Sequence, residues 1–303
     1  MFSKIKTKQS MNKYLNTTKL IKQAKAIVIG AGAGLSTAAG FEYDGPRFDK
    51  YFFDFKEKYG IQDMYSGGFY RYPTQEEYWA FWSRNIWINR YVPAPKDTYR
   101  RLLDLIRDKN YFVITTNVDH QFQEAGFDKK RLFYTQGDLG LFQSSHKGDE
   151  NTYDNYELIR KMILAQGFQI ENNGNLKVSD TNLKMKIPTS LVPQIDHLPA
   201  KLNLRVDDTF VEDKGWHQAL ERYQSFLKGN ESKNVLYLEL GVGMNTPGII
   251  KYPFWQLTIQ NPSAHYVSVN QGQVLIAKQI VDRSVAFSED INSVLKKLLL
   301  MIN

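Results

Sequence analysis

Short apolar runs alternate with segments of helical spacing near both ends of the chain. Ala26–Ile29 and Tyr111–Thr115 are rich in β-branched or aromatic residues, which is typical of buried strands. Apolar residues recur at helical spacing in Asp97–Asp108 and Glu289–Met301. Strands that alternate with helices predict an α/β fold built on one doubly wound, parallel, Rossmann-like sheet.

The alternation fails in the middle of the chain. There, Phe168–Ile170 and Leu176–Val178 flank an Asn-Asn-Gly turn and predict a hairpin. We therefore predict a main domain formed by residues 1–140 and 209–303, with a small inserted module at 141–208. Within the main domain, residues from about 42 to 95 are rich in aromatic side chains and indicate a helical insertion. Its rings form either the core of a helical layer or a substrate-binding wall.

Charge is distributed unevenly along the 303 residues. The net charge of +7 equals the number of lysines before the first acidic residue, Glu42, namely Lys4, Lys6, Lys8, Lys13, Lys19, Lys22 and Lys25. A solvated helix face explains this segment, and a dock for an acidic protein partner is the alternative. No groove-like pattern of arginine and aromatic residues is present, so we expect no nucleic-acid partner.

The chain contains no cysteine, which excludes disulfides, thiolate metal sites and thiol catalysis. Apolar runs stay shorter than the roughly 18 residues that a membrane span needs, so we expect no membrane partner. The start of the chain lacks the apolar segment of a signal peptide, and we expect a cytoplasmic protein.

Small and polar residues follow the predicted strands. Gly32–Ser36 would let a phosphate approach the backbone at a helix N-terminus. Asn117 and Asp119 lie two residues apart after a strand and would face the same side of an extended segment. Residues 240–247 and Asn270 follow two further strands. Because the carboxyl ends of parallel strands form one edge, these segments predict a nicotinamide dinucleotide site.

Each segment also has a less specific explanation. Asn117–Asp119 could simply cap a helix that starts near His120. The loop Gly30–Gly34 lacks the GxGxxG spacing because Leu35 takes the place of the last glycine. An ordinary dehydrogenase is therefore disfavoured.

Taken in order, the segments resemble the motifs of the sirtuin family from residue 26 to about 292. Gly32–Phe41 is similar to the family's GAGISxSAGI loop, and Thr116–Asp119 looks like its QNID motif. Tyr134–Asp138 stands in the place of the catalytic HG motif. Gly241–Pro253 resembles the GTSLxVxPF segment, with Tyr252-Pro253-Phe254 preserved, and Val269-Asn270 stands in the place of the LIN motif. The resemblance implies the sirtuin fold and NAD as co-substrate.

The departures from the family pattern concern its catalytic base and its zinc ribbon. Gln136 replaces the histidine that deprotonates the cofactor ribose, and glutamine cannot act as a general base. The family's Pro-Asp-Phe-Arg stretch is absent, and Glu42–Phe48 stands in its place, with Asp44 and Arg47 as candidates for related roles. The four ribbon cysteines would fall near Ser144, Ser145, Ile195 and Leu198, so we predict no zinc and no other metal site.

These departures resemble the macrodomain-linked microbial branch of the family, class M. That resemblance implies protein mono-ADP-ribosylation of a lipoylated, glycine-cleavage-H-like carrier, with release of nicotinamide. It also implies a macrodomain ADP-ribosyl hydrolase and a lipoate ligase as functional partners, and a role in the oxidative stress response.

The implied site has a catalytic and a cofactor-binding part. The catalytic residues are Asn117, Asp119 and Gln136. The cofactor-binding residues are Gly32, Ala33, Gly34, Leu35, Ser36, Asp44, Arg47, Gln136, Gly241, Gly243, Asn245, Thr246, Asn270 and Ser288. Two alternatives are an NAD-dependent deacylase that uses another base, such as His120, and a catalytically silent NAD or ADP-ribose sensor.

Overall fold

The computed structural model describes residues 2–146, 148–178, 183–244, 247–272 and 274–302, with side chains from residue 11 onward. The strands in chain order are β1 Ala26–Ala31, β2 Tyr111–Thr115, β3 Leu132–Tyr134, β4 Gly137–Ser144, β5 Thr152–Asp154, β6 Gln169–Ile170, β7 Leu176–Lys177, β8 Gln194–Ile195, β9 Leu198–Leu204, β10 Val235–Leu240, β11 His265–Asn270 and β12 Ser284–Ser288.

Helices surround these strands. In chain order they are α1 Phe2–Gln23, α2 Ala33–Ala38, α3 Gly45–Tyr59, α4 Met64–Gly68, α5 Gln75–Arg90, α6 Thr98–Ile106, α7 Gln121–Glu124, α8 Tyr156–Ala165, α9 Lys214–Lys228, α10 Lys251–Gln260 and α11 Ile291–Ile302. Short 3₁₀ turns occur at Lys129–Arg131, Thr189–Leu191 and Lys278–Arg283. Among the described residues, no helix is long and apolar enough to cross a membrane.

Six parallel strands form the main sheet in the order β12-β11-β10-β1-β2-β3. From β1 the chain moves outward through β2 and β3, and it later returns to β10 and moves the other way. The strand order therefore reverses between β1 and β10, which is where ligands bind in such sheets. The predicted doubly wound parallel sheet is confirmed.

The sheet is covered on both faces. Every residue of β1, β2 and β10 is buried, as expected for strands that lie between two helical layers. Helices α1, α2, α6 and α11 contribute to the core on one face, and α9 and α10 pack on the other. These apolar strands need helices on both faces of the sheet to exclude water, and the segments with helical periodicity form those helices.

A second, antiparallel sheet has the order β5-β4-β9-β8. It begins at Gly137, ahead of the predicted start of the module at residue 141, because β4 continues almost directly from β3. The predicted hairpin is confirmed as the antiparallel pair β6 and β7. The boundaries of the module as a folding unit stay a prediction.

The aromatic-rich segment folds as the helices α3, α4 and α5. Rings of Phe52, Phe55 and Phe81 lie within 6.4 Å of one another, centroid to centroid, and are fully buried. Inside this layer, Arg84 pairs with Asp54 and is itself fully buried. These contacts favour the aromatic core over the substrate-binding wall. Tyr65 and Phe69, in contrast, are exposed.

Candidate active site at the carboxyl edge of the sheet

Two glycine loops meet where the strand order reverses. The amide of Gly32 donates to the carbonyl of Leu240 at 3.0 Å, and the amide of Gly34 donates to the carbonyl of Gly241 at 3.0 Å. A Cβ atom on Gly34 would lie 2.7 Å from Cα of Gly241. Gly241 itself has a φ of +66°, a conformation that favours glycine. The backbones therefore touch, and neither loop has room for a side chain here.

This contact limits which amides remain for a phosphate. Gly32, Gly34 and Leu35 already donate their backbone N–H groups to carbonyl oxygens. Of the four amides from Gly32 to Leu35, only that of Ala33 has no acceptor within the described part of the chain. The sequence-based hypothesis that backbone N–H groups from Gly32 to Leu35 hold the pyrophosphate of NAD stays a prediction, and in this structure the amide of Ala33 is the one left available for it.

Asn117 and Asp119 belong to a buried hydrogen-bond network. Ser36 donates to Asp119 Oδ2 at 2.5 Å, and its hydroxyl lies 2.9 Å from the hydroxyl of Tyr99. Asn117 Nδ2 donates to that tyrosine hydroxyl at 3.3 Å. The amide of Gln121 donates to Asp119 Oδ1. The fold thus brings together three residues named from the sequence, Ser36, Asn117 and Asp119.

Tyr99 was not singled out by the sequence analysis. It lies on α6 at helical spacing from Leu102 and Ile106, so it belongs to the apolar stripe of that helix. Its position looked like that of an ordinary core residue. The hydroxyl group was the available signal, because a buried tyrosine usually needs a hydrogen-bond partner.

Tyr99→Phe tests this network. Without the hydroxyl, Ser36 and Asn117 lose a shared partner, and we expect nicotinamide release from NAD to slow by about tenfold to a hundredfold. Turnover with saturating NAD measures the effect. Tyr223→Phe is the matched control, because Tyr223 is also buried but packs against Phe112 and Phe133. Equal losses in the two variants would contradict a role for the network.

Burial is the largest influence on Asp119, and it raises the pKa of this carboxyl above its ordinary value. The hydrogen bond from Ser36 lowers the pKa but does not cancel burial, and the nearby charge of Asp138 raises it further. The ionised form is therefore held in an environment that costs stability.

We expect activity and stability to respond to acid in opposite directions through Asp119. Under the catalytic role that the sirtuin resemblance implies for Asp119, neutralisation of the carboxylate as the pH falls through its raised pKa should slow nicotinamide release, at a pH above the ordinary aspartate pKa of about 3.9. In that window the folded state binds more protons than the unfolded state, so Asp119 adds to the free energy of unfolding as pH falls. Paired pH profiles of turnover and thermal unfolding measure this. If Asp119→Asn kept the same acid limb of turnover, the assignment would be wrong.

A second cluster surrounds the segment that carries Gln136. The side chain of Gln136 is half-buried and donates to Thr135 at 3.3 Å. Two residues on, Asp138 accepts from Arg90 Nε at 2.7 Å and lies 2.7 Å from His120 Nδ1. Burial alone would raise the pKa of Asp138, but the hydrogen bond with His120 and the charge of Arg90 hold it below its ordinary value.

Residues expected at the adenosine end are only partly described. Asn270 ends β11 and donates to the carbonyl of Val242 at 3.5 Å. Ser288 ends β12 and donates to the carbonyl of Gly272. Gly243 is exposed at the same edge. Asn245 and Thr246 lie outside the described residues. Strand ends thus place Asn270 and Ser288 at the predicted edge.

Asp44 and Arg47 differ in their surroundings. Asp44 is exposed at the N-terminus of α3. Arg47 donates to the carbonyls of Glu42 and Ile88 and to Asn89 Oδ1, at 2.6–3.0 Å. These acceptors are all neutral, so the positive charge of Arg47 stays available to an anion. Burial lowers the pKa of this guanidinium, and nearby ionisable groups oppose that shift.

The region of the ribbon offers no described donor set for a metal. Ser144 ends β4, while Ile195 and Leu198 pair with each other across β8 and β9. In the described ranges, no group of three or more His, Asp, Glu or Cys side chains could hold an ion. The absence of zinc stays a prediction that rests on the missing thiolates.

Comparison with other sequences identifies relatives over almost the whole chain. No family model matches it. A protein ADP-ribosyltransferase of Staphylococcus aureus (strain Mu50 / ATCC 700699) is 37% identical over 293 residues, which make up 96% of this chain and 87% of that protein. A probable bifunctional ADP-ribose hydrolase/ADP-ribosyltransferase of Fusarium oxysporum f. sp. cubense is 27% identical over 248 residues, or 80% of this chain but 39% of that protein.

Comparison with solved structures identifies the fold. Sir2 bound to acetylated peptide has a TM-score of 0.60 at 17% identity, and the match covers 97% of this chain and 99% of that chain. Sir2Tm bound to a propionylated peptide has a TM-score of 0.58 at 16% identity, with the same coverage. The fold is therefore that of a sirtuin. Together with the Staphylococcus relative, it shows that the chain belongs to the sirtuin-type, NAD-dependent protein ADP-ribosyltransferases.

Proposed function

We propose that this transferase moves one ADP-ribose from NAD to a lipoylated carrier protein of the glycine-cleavage H type and releases nicotinamide. The observation that carries the proposal is the buried network of Ser36, Tyr99, Asn117 and Asp119 at the carboxyl edge of the sheet. Gln136 supports transfer over deacylation, because an amide can bind a hydroxyl but cannot take its proton.

Different residues of the site bind NAD and assist cleavage of its glycosidic bond. NAD supplies a glycosidic bond whose cleavage leaves positive charge on the ribose. Asn117 holds the nicotinamide carboxamide, Asp119 stabilises the developing positive charge, and Gln136 holds a ribose hydroxyl. Asn270 and Asn245 hold the adenosine half. Arg47, whose hydrogen bonds go to neutral groups, can attract the phosphates.

The proposal extends to partners and setting. A macrodomain ADP-ribosyl hydrolase would remove the modification, and a lipoate ligase would prepare the acceptor. The name of the Fusarium relative combines a hydrolase with a transferase, which supports such a pairing. We propose that the protein works in the cytoplasm during the response to oxidative stress.

Intact-mass spectrometry tests the acceptor. The protein is incubated with isotopically labelled NAD and either lipoylated or unlipoylated carrier. We expect the mass of one ADP-ribose to be added to the lipoylated carrier alone. Modification of both forms would remove the lipoyl requirement, and modification of neither would reject the carrier as substrate.

One observation favours a second candidate function, deacylation with a different base. His120 lies beside Asp119 in the chain, and Asp138 contacts its Nδ1, which leaves Nε2 as the free ring nitrogen. Turnover of an acetyl-lysine peptide with release of O-acetyl-ADP-ribose would support this candidate. If Gln136→His gained that activity and the wild type lacked it, deacylation by His120 would be excluded.

A further inference from the structure

A buried ion pair lies beneath the loop that follows β10. Lys251 Nζ donates to Glu239 Oε1, and the two side chains are 4% and 0% exposed. Ser268 on β11 donates to the same oxygen at 2.9 Å. None of these three residues belongs to the active-site network, and none contacts solvent to any useful extent.

The ion pair joins the two ends of one loop. Glu239 is the penultimate residue of β10, and Lys251 is the first residue of α10. We call residues 241–244 and 247–250, the described part of the segment between these elements, the cofactor loop, because it carries the candidate NAD-binding residues Gly241 and Gly243. The start of the loop is fixed by the bond from the Gly241 amide to the carbonyl of Val269 at 2.9 Å. The ion pair fixes the far end of the loop against β10, the strand that precedes the loop.

The far end of the loop also packs on β1. Gly30 has no side chain, and a Cβ there would lie 2.3 Å from Cγ2 of the buried Ile250. A small movement of α10 would therefore push Ile250 against the strand that leads into Gly32. The position of Lys251 is thus coupled to both loops at the point where the strand order reverses.

A buried ion pair contributes little net stability to a fold, because its charges lose their hydration. Glu239 Oε2 is buried and makes no hydrogen bond of normal geometry with the described residues, while the same carboxyl group lies near the hydroxyl of Tyr266, whose pKa is raised by burial and by this neighbour. Removing two charges from water carries a large desolvation cost, and an incompletely bonded pair recovers only part of that cost. An apolar pair of similar volume commonly leaves stability unchanged or improves it. The pair therefore calls for an explanation other than stability.

We propose that the Glu239–Lys251 ion pair is a positioning device that sets the shape of the cofactor loop and so the affinity for NAD, while taking no part in bond breaking. This inference rests on the proposed role of the loop in holding the adenosine half of NAD. It does not depend on the identity of the acceptor. Glu239, Lys251 and Ser268 are accordingly positioning residues and not catalytic ones.

The double variant Glu239→Leu with Lys251→Met tests the inference, because it leaves no unpaired buried charge. We expect its unfolding temperature to stay within about 4 °C of the wild type. We expect the Kd and KM for NAD to rise by about tenfold or more, with kcat for nicotinamide release at saturating NAD within about threefold. Isothermal titration with NAD and hydrolysis of NAD to ADP-ribose supply both readouts without an acceptor protein.

The matched control is Glu77→Leu with Lys58→Met, in the aromatic insertion. Glu77 is also buried, and it contacts the half-exposed Lys58 at 3.0 Å as well as Lys186 and Tyr59, so the same two residue types change on α3 and α5, which carry no part of the cofactor loop. We expect this variant to bind NAD with an affinity within about twofold of the wild type. A similar loss of affinity in both double variants would overturn the inference, because the effect would not be specific to the loop.

Three further results would also overturn it. These are a folded Glu239/Lys251 double variant with unchanged NAD affinity, a loss of kcat without a change in Kd, and failure of that variant to fold. If the wild type bound and hydrolysed NAD but did not modify the carrier, the proposed acceptor would be rejected and this inference would stand on its NAD affinities.

Discussion

Asn117→Ala is expected to slow nicotinamide release by about 100- to 1000-fold at saturating NAD, because under the proposed mechanism it removes the donor that binds the nicotinamide carboxamide. Among the described residues, the side chain makes one hydrogen bond, from Nδ2 to the hydroxyl of Tyr99 at 3.3 Å. Its loss should therefore cost only about 1 kcal/mol of the free energy of unfolding. Steady-state assays of nicotinamide release measure the loss of turnover, and thermal unfolding measures the loss of stability.

Asn230→Ala provides the comparison for this result. Asn230 is also buried, and it donates to the carbonyl of Phe226 at 2.7 Å on the side of the sheet where β10 begins. Its truncation should reduce stability by an amount similar to or larger than that of Asn117→Ala, while turnover stays unchanged. Full activity in Asn117→Ala, or an equal loss of activity in both variants, would remove Asn117 from the catalytic site.

Gly241→Ala is expected to destabilise the fold by about 3 kcal/mol or more and to abolish NAD binding. The left-handed backbone at φ +66° costs a residue with a side chain about 1–2 kcal/mol. In addition, the new Cβ would lie 2.4 Å from the amide nitrogen of Leu35, and backbone atoms cannot move aside cheaply. Separation of the two glycine loops would displace the edge at which Asn117 and Ala33 lie.

Gly60→Ala isolates the contribution of the clash. Gly60 has a φ of +70°, and nothing lies within 4 Å of the position that its Cβ would take. This variant should lose only about 1–2 kcal/mol, the cost of the backbone conformation, and should bind NAD normally. Denaturant unfolding and calorimetric NAD titration measure both variants. Equal losses of stability would mean that the contact between the loops is not tight.

The sequence predicted the parts of the site that depend on spacing along the chain. Asn117 and Asp119 lie two residues apart after an apolar strand, and that local pattern was sufficient to place them at the carboxyl edge. The glycines at 32, 34 and 241 were likewise identified as backbone positions near a ligand. What the sequence could not show is that Gly34 and Gly241 touch each other and thereby use up amides that were assigned to a phosphate.

Site residues outside the recognised motifs could be identified only from the structure, because their partners are distant in sequence. Tyr99 meets Ser36 across 63 positions of the chain, and Arg90 meets Asp138 across 48. Neither contact can be predicted from the periodicity of the sequence, because the two partners belong to different secondary-structure elements. Lys251 and Glu239 lie nearer, 12 positions apart, but a lysine at a helix start normally suggests a solvated residue.

Periodicity, turn residues and local spacing were sufficient to predict the fold class, the order of the strand-end motifs and the residue types available for chemistry. Three-dimensional packing was needed to show which of those residues meet, which amides are left without an acceptor among the described residues and which charges are buried. A hydrogen bond or an ion pair depends on distance in space and on removal from water, and the packing of the sheet and its helical layers fixes both.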